Sequence, residues 1–178
     1  MLLITLACAG TRMSAQVENS GPQTIVLSAT LAESLTVGLS ANAVSFNLSA
    51  GSAVNPGSTS ITATTAWVLR PGRTAVRISA YFASAAAALT DGAGNNIPSS
   101  AFRISDNGGA LTALTNALAF ITANAGLQLA NIAITSANRS GSRTDVMVFN
   151  IDLSTGTLPQ LPAGVYTGTL NIQARATL

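Results

Sequence analysis

The stretch YTGTLNIQARATL, residues 166–178, decides the fold class. Its even positions, Tyr166, Gly168, Leu170, Ile172, Ala174, Ala176 and Leu178, are apolar or small. Its odd positions, Thr167, Thr169, Asn171, Gln173 and Arg175, are polar. A period of two puts one set on each face of a pleated chain, so the stretch reads as a strand half-buried against a core. It predicts one long final strand running to residue 178.

The same alternation recurs upstream. TAVRISAYF (74–82) places Val76, Ile78, Ala80 and Phe82 on one face and Arg77, Ser79 and Tyr81 on the other. LQLANIAIT (127–135) reads as a strand, ANRSGSR (137–143) as a loop, and TDVMVFNIDL (144–153) as a strand with Met147, Phe149, Ile151 and Leu153 in one row. STSITATTAWVL (58–69) is rich in β-branched residues and carries Trp67, expected in the core because large aromatics dominate sandwich interiors. Pro then Gly in NPGS (55–58) and RPGR (70–73) match type II turns at both ends of that strand. Between residues 83 and 126 the pattern is mixed. Leu111, Leu114, Leu118 and Ile121 fit helical spacing, but Gly108, Gly109 and Gly126 bracket them closely and favour short strands and loops. Short alternating runs between turn signals predict an all-β sandwich or barrel.

A chain of 178 residues suits one domain with a real core. It is 48% hydrophobic and 8% charged, against a usual charged share of about 25%, so its polar surface is one of hydroxyls and amides. A net charge of +2 from eight scattered arginines is no phosphate-tracking patch, which sets nucleic acid aside. There is no His or Lys, and one Cys, Cys8. These absences exclude imidazole acid–base chemistry, Ser/His/Asp triads, Schiff-base lysines, the usual zinc ligand sets, Lys–Asn crosslinks and an intrachain disulfide. We therefore expect no enzymatic activity, cofactor or metal. DGAGNN (91–96) and SDNGG (105–109) read as turns, not calcium loops, since neither has the alternating ligand spacing of an EF-hand. Asp145 and Asp152 are placed on the solvent face, roughly 23 Å apart along one strand, too far to flank one glycosidic bond. Arg70, Arg73 and Arg77 are read as turn and surface solubilisers.

At the N-terminus, MLLITLACAGTRMSAQ has a short apolar run followed by small residues, the form of a secretory signal peptide over residues 1–15. No other run approaches the ~18 apolar residues that span a bilayer, so the mature chain is expected to have no transmembrane segment and to be secreted, extracellular or at the cell surface. Next comes QTIVLSATLAESLTVGLS (23–40), too long for one strand. Its odd row is Ile25, Leu27, Ala29, Leu31, Glu33, Leu35, Val37 and Leu39. A carboxylate buried in mid-row without a partner would cost several kcal/mol, so the stretch divides at residues 32–34. Residues 16–32 become an N-terminal extension and residues 33–178 the sandwich domain.

The opening ATLAESLTV (29–37) and the closing LPAGVYTGTLNIQA (161–174) resemble the spore coat protein U-like family, relatives of chaperone–usher pilins. The family's opening cysteine falls at Leu35 here, and its partner is also absent, so no disulfide is implied. The resemblance implies a secreted structural subunit of a surface filament or coat, with an immunoglobulin-like Greek-key sandwich left incomplete and filled by a neighbour's strand. It implies Ile25, Leu27, Ala29 and Leu31 as donor side chains and Tyr166, Leu170, Ile172 and Ala174 at the acceptor edge. Partners would be copies of the chain or related subunits, with a periplasmic chaperone and outer-membrane usher. The alternative is a self-complemented monomeric adhesion or carbohydrate-binding module that uses the loops around residues 91–109.

Overall fold

The computed structural model describes residues 19–178. The signal-peptide reading of residues 1–15 lies outside them. The chain divides into two units, Met1–Leu31 and Ala32–Leu178. In the first, residues 19–31 form no regular secondary structure and are exposed throughout.

The second unit is all-β. Its strands are β1 (Ser34–Leu39), β2 (Asn55–Pro56), β3 (Ile61–Val68), β4 (Ala75–Tyr81), β5 (Leu89–Thr90) and β6 (Asn96–Ile97), followed by β7 (Phe102–Asp106), β8 (Thr112–Ala113), β9 (Asn116–Leu118), β10 (Ile121–Ala133), β11 (Ser140–Ile151) and β12 (Asn171–Thr177). One antiparallel sheet runs β1-β3-β11-β7-β8, with β2 also paired to β11. The second runs β12-β4-β10-β9, and β5-β6 form a small ribbon.

The two larger sheets pack face to face as a sandwich because their alternating rows point inward. From the first sheet come Ile61, Ala63, Phe102, Ile104, Met147, Phe149 and Ile151; from the second come Ala80, Ala125 and Leu127, and Phe82 follows β4 into the same cluster. Phe102 is its hub, with ring centroids 5.1 Å from Phe82 and 5.7 Å from Phe46, both edge-on. A second cluster gathers Trp67, Leu69, Val76, Ile78, Ala130 and Ile134. Trp67 is buried as expected, and its indole N–H donates to the Asn138 carbonyl at 2.9 Å. Its cross-strand partner is Gly141, where a Cβ would come within 2.9 Å of the ring. The indole needs that glycine.

The helical option for residues 111–121 is not taken, since β8, β9 and the start of β10 occupy it. RPGR forms the expected turn, with Gly72 at φ 95°. NPGS does not. Asn55 and Pro56 are β2, paired with Ile151 and Asn150. The buried Asn55 amide decides this, donating to the carbonyls of Ile151 (2.8 Å) and Ser52 (3.0 Å) and accepting from the Ser49 N–H (2.7 Å). Those bonds hold the segment extended where a turn would forfeit them. The expected loop at 137–143 is also shorter, because β11 already begins at Ser140 and pairs with Val68 of β3.

Asp145 and Asp152 are not on the solvent face. Asp145 has the parity of Met147 and shares its inward row, with 0% exposure. Its Oδ1 accepts from Arg143 Nη2 (2.6 Å), Arg143 Nε (2.7 Å) and Asn107 Nδ2 (3.0 Å). Asp152, just past β11, accepts from the Ser154 hydroxyl (2.6 Å) and from Arg103 (2.9 Å). Both carboxylates are buried with partners that offset desolvation.

Candidate functional site

β1 and β12 lie at the ends of their sheets, each hydrogen-bonded along one edge only. The chain leaving β1 and the chain entering β12 form two irregular rims. Along the first, Val44 and Phe46 turn inward and are half-buried, while Leu39 and Leu48 are exposed. This rim is tied to the chain between β2 and β3 by the Phe46–Gly57 bridge and by the Ser58 N–H on the Ser45 carbonyl at 2.8 Å. A Cβ on Gly57 would come within 2.7 Å of Val44, so a side chain there would lift the rim away.

The second rim is residues 161–170. The predicted long final strand is overturned here, because the ladder with β4 begins only at Asn171. Among the described residues, the backbone of residues 163–170 hydrogen-bonds only at Thr167, which exchanges two 2.9 Å bonds with Thr90. Gly168 sets this path, since a Cβ there would collide with the Ala88 carbonyl oxygen. The segment is anchored to β5 and leaves the edge that its alternation would suit.

Between the rims lies a groove of about 970 Å³ whose floor is the sandwich core itself, Phe82, Phe102, Met147, Phe149 and Ile151. Of the sequence-predicted acceptor residues, Tyr166, Leu170 and Ile172 line it and are half-buried. Ala174 does not; it packs on the Trp67 cluster. Ile25, Leu27 and Leu31 are 83%, 88% and 84% exposed in the first unit, and Ala29 is exposed beside them. Val44, Phe46 and Leu161 were missed as groove residues. The first two were findable, because Val44, Phe46 and Leu48 alternate with Ser45, Asn47 and Ser49 directly after β1.

Among the described residues, no Asp, Glu or Arg lines the groove, and Tyr166 is its one titratable group. Burial, and secondarily the negative charge of Asp91, pushes its phenol up. Its hydroxyl donates to the Pro162 carbonyl at 2.9 Å. Such a surface can take up apolar side chains and hydrogen-bond an extended backbone along its rims.

The loop alternative has less to offer a ligand. Asp91 Oδ1 accepts from the N–H groups of Ala93 (2.8 Å) and Asn95 (3.0 Å), and the Asn95 amide, with these bonds, holds its carboxyl below the usual range. The Ser105 hydroxyl donates to the Gly109 carbonyl at 2.6 Å. Both clusters close their own turns. Among the described residues, no group of three His, Cys, Asp or Glu could hold a metal ion, and no helix is long and apolar enough to cross a membrane. No family model matches the chain, and no curated protein or solved structure matches it either.

Proposed function

We propose that the chain is a secreted structural subunit of a surface filament or coat, and that it polymerises by donor-strand complementation. Residues 23–31 of one copy enter the groove of the next as an extended strand. The observation that carries this reading is the groove, a sandwich core left open between the irregular rims that follow β1 and precede β12, in a chain that also carries an exposed apolar segment of alternating pattern. The sandwich is then of the immunoglobulin-like Greek-key kind with one strand supplied in trans.

The energetics favour such an exchange. Burying Ile25, Leu27 and Leu31 contributes about 1.5–3 kcal/mol each, and backbone pairing along one of the rims fixes the register. Nine residues at about 3.3 Å each span roughly 30 Å, enough for a groove one sandwich long. Odd positions face the core, so Ile25, Leu27, Ala29 and Leu31 form the inserted row. A free subunit with this groove is an aggregation hazard. That is the physical reason to expect a periplasmic chaperone that covers it and an outer-membrane usher that exchanges chaperone for donor segment.

The test uses the full mature chain and a form lacking residues 16–32. The full chain should run as a ladder on unheated SDS gels that collapses on boiling, and the truncated form as a monomer. A peptide of residues 20–32 added to the truncated form should raise its melting temperature through binding to the folded state. A monomeric full chain, together with a truncated form that ignores the peptide, sinks the proposal.

A further inference from the structure

Among the described residues most charges are paired, and four, Asp91, Arg77, Arg139 and Arg175, are in no ion pair. Among the described residues, Glu33 pairs with Arg73 and Arg70, Asp152 with Arg103, and Asp145 and Asp106 with Arg143. Arg77 and Arg175 have no acidic partner, and in the β4–β12 ladder they stand directly opposite each other on the outward face. Both are exposed. Like charges directly opposed across a ladder are destabilising, and a chain with so few charges had every other polar residue available for that position.

The residues around them form a grid. Across β10, β4 and β12 the rows are Asn131–Arg77–Arg175, Gln128–Ser79–Gln173 and Gly126–Tyr81–Asn171. Phe120, in the β9–β10 turn, stands edge-on to Tyr81 at 5.4 Å and lies 4.7 Å beneath the Arg175 guanidinium. Among the described residues no carboxylate belongs to this grid, and none of its residues lines the groove.

We propose that this outer sheet face is a binding site for a carboxylated polysaccharide, a chain bearing uronic acids. The two guanidiniums offer planar forks that take carboxylates bidentately. The amides of Asn131, Gln128, Gln173 and Asn171 both donate to and accept from sugar hydroxyls. Tyr81 supplies apolar surface for the C–H face of a pyranose ring, and Phe120 steadies the Arg175 guanidinium stacked on it. Charge complementarity selects an acidic occupant. Two cations among amides and rings select a sugar over a phosphate polymer, which needs a longer basic track. The site is independent of the groove, so a subunit could polymerise and hold an acidic matrix at once.

The test is affinity electrophoresis of the full chain in gels containing alginate, neutral dextran or polyphosphate. Alginate should retard the wild type, dextran should not, and polyphosphate should retard it at least tenfold less than alginate. Arg77→Gln/Arg175→Gln should lose at least tenfold in alginate affinity. Arg70→Gln/Arg139→Gln, which removes the same charge elsewhere, should not. Gln173→Ala/Asn131→Ala should weaken binding several-fold at unchanged charge, and melting curves should show each variant folded. The proposal is overturned if alginate does not retard the wild type, if both arginine double variants behave alike, or if polyphosphate binds as tightly as alginate.

Discussion

Arg77 and Arg175 impose a stability penalty that mutation can expose. Replacing Arg77 by Gln removes the repulsion without emptying any core position and leaves Arg175 on the Phe120 ring, so Arg77→Gln should be more stable by about 0.2–1 kcal/mol, whereas Arg175→Gln also gives up the ring contact and should gain less. For a domain of this size the Arg77→Gln gain is about 0.4–4 °C in Tm, readable by calorimetry at low salt. Asp106 is a second residue with an unfavourable charge. Burial, and secondarily the nearby Asp145 carboxylate, raises its pKa, and its Oδ1 is buried without a partner. A raised carboxyl pKa means the folded state holds the proton more tightly than the unfolded chain. The associated stability is therefore present below the unfolded value near 3.8 and lost as pH rises through the folded pKa. Asp106→Asn should then be more stable than wild type in urea melts at pH 7, and the gain should disappear by pH 3. Glu33 has the opposite sign. The Arg73 guanidinium bonded to it lowers its pKa, so its contribution is present above pH 4.5 and fades as pH falls below that value. The tempting reading of Glu33 as a misplaced core residue fails because two arginines from the β3–β4 turn meet it at the surface, just before β1 begins.

At the scale of elements, legibility followed the balance between side-chain pattern and backbone ties. The strands around Val76–Phe82 and Met147–Ile151 were readable because alternation and burial agree there. Asp145 was misplaced by a parity slip, since its odd number sets it in the row of Met147. NPGS was misread because turn chemistry at Pro56-Gly57 is overridden by the buried Asn55 amide, a tertiary effect no local motif records. Residues 166–170 carry the alternation of an edge strand yet are held off the ladder by Gly168 against Ala88 and by the Thr167–Thr90 pair. Neither tie is local in sequence. Gly168→Val should force this rim off β5, at the ~1–3 kcal/mol typical of overpacking. The circular dichroism spectrum of the sandwich should remain, while the Thr90 and Thr167 amides lose hydrogen-exchange protection. Unchanged protection would mean that Gly168 does not set the rim.

For the whole molecule, composition describes polarity and not shape. The chain has 8% charged residues and no His or Lys, and nothing in that composition announces an open core. The groove emerges only when the two ends of the domain meet, β1 closing one sheet and β12 the other. It makes a strict demand on an incoming strand. With side chains alternating, Ile25, Leu27, Ala29 and Leu31 of a donor face the floor, while Val26 faces solvent although it is just as apolar. Under the proposed exchange, Leu27→Asp sets an unpaired carboxylate facing the apolar floor and should abolish the unheated-gel ladder. Val26→Asp changes the same charge one residue away and should leave the ladder intact. Leu27→Ala removes about 1.5–3 kcal/mol of buried surface, so the ladder should form but dissociate roughly 10- to 150-fold faster on warming. A one-residue shift in register would exchange the roles of positions 26 and 27, because every side chain then moves to the other face. If Val26→Asp were the lethal change, the donor would still be residues 23–31 with its register corrected by one. If both variants polymerised like wild type, residues 23–31 would not be the donor.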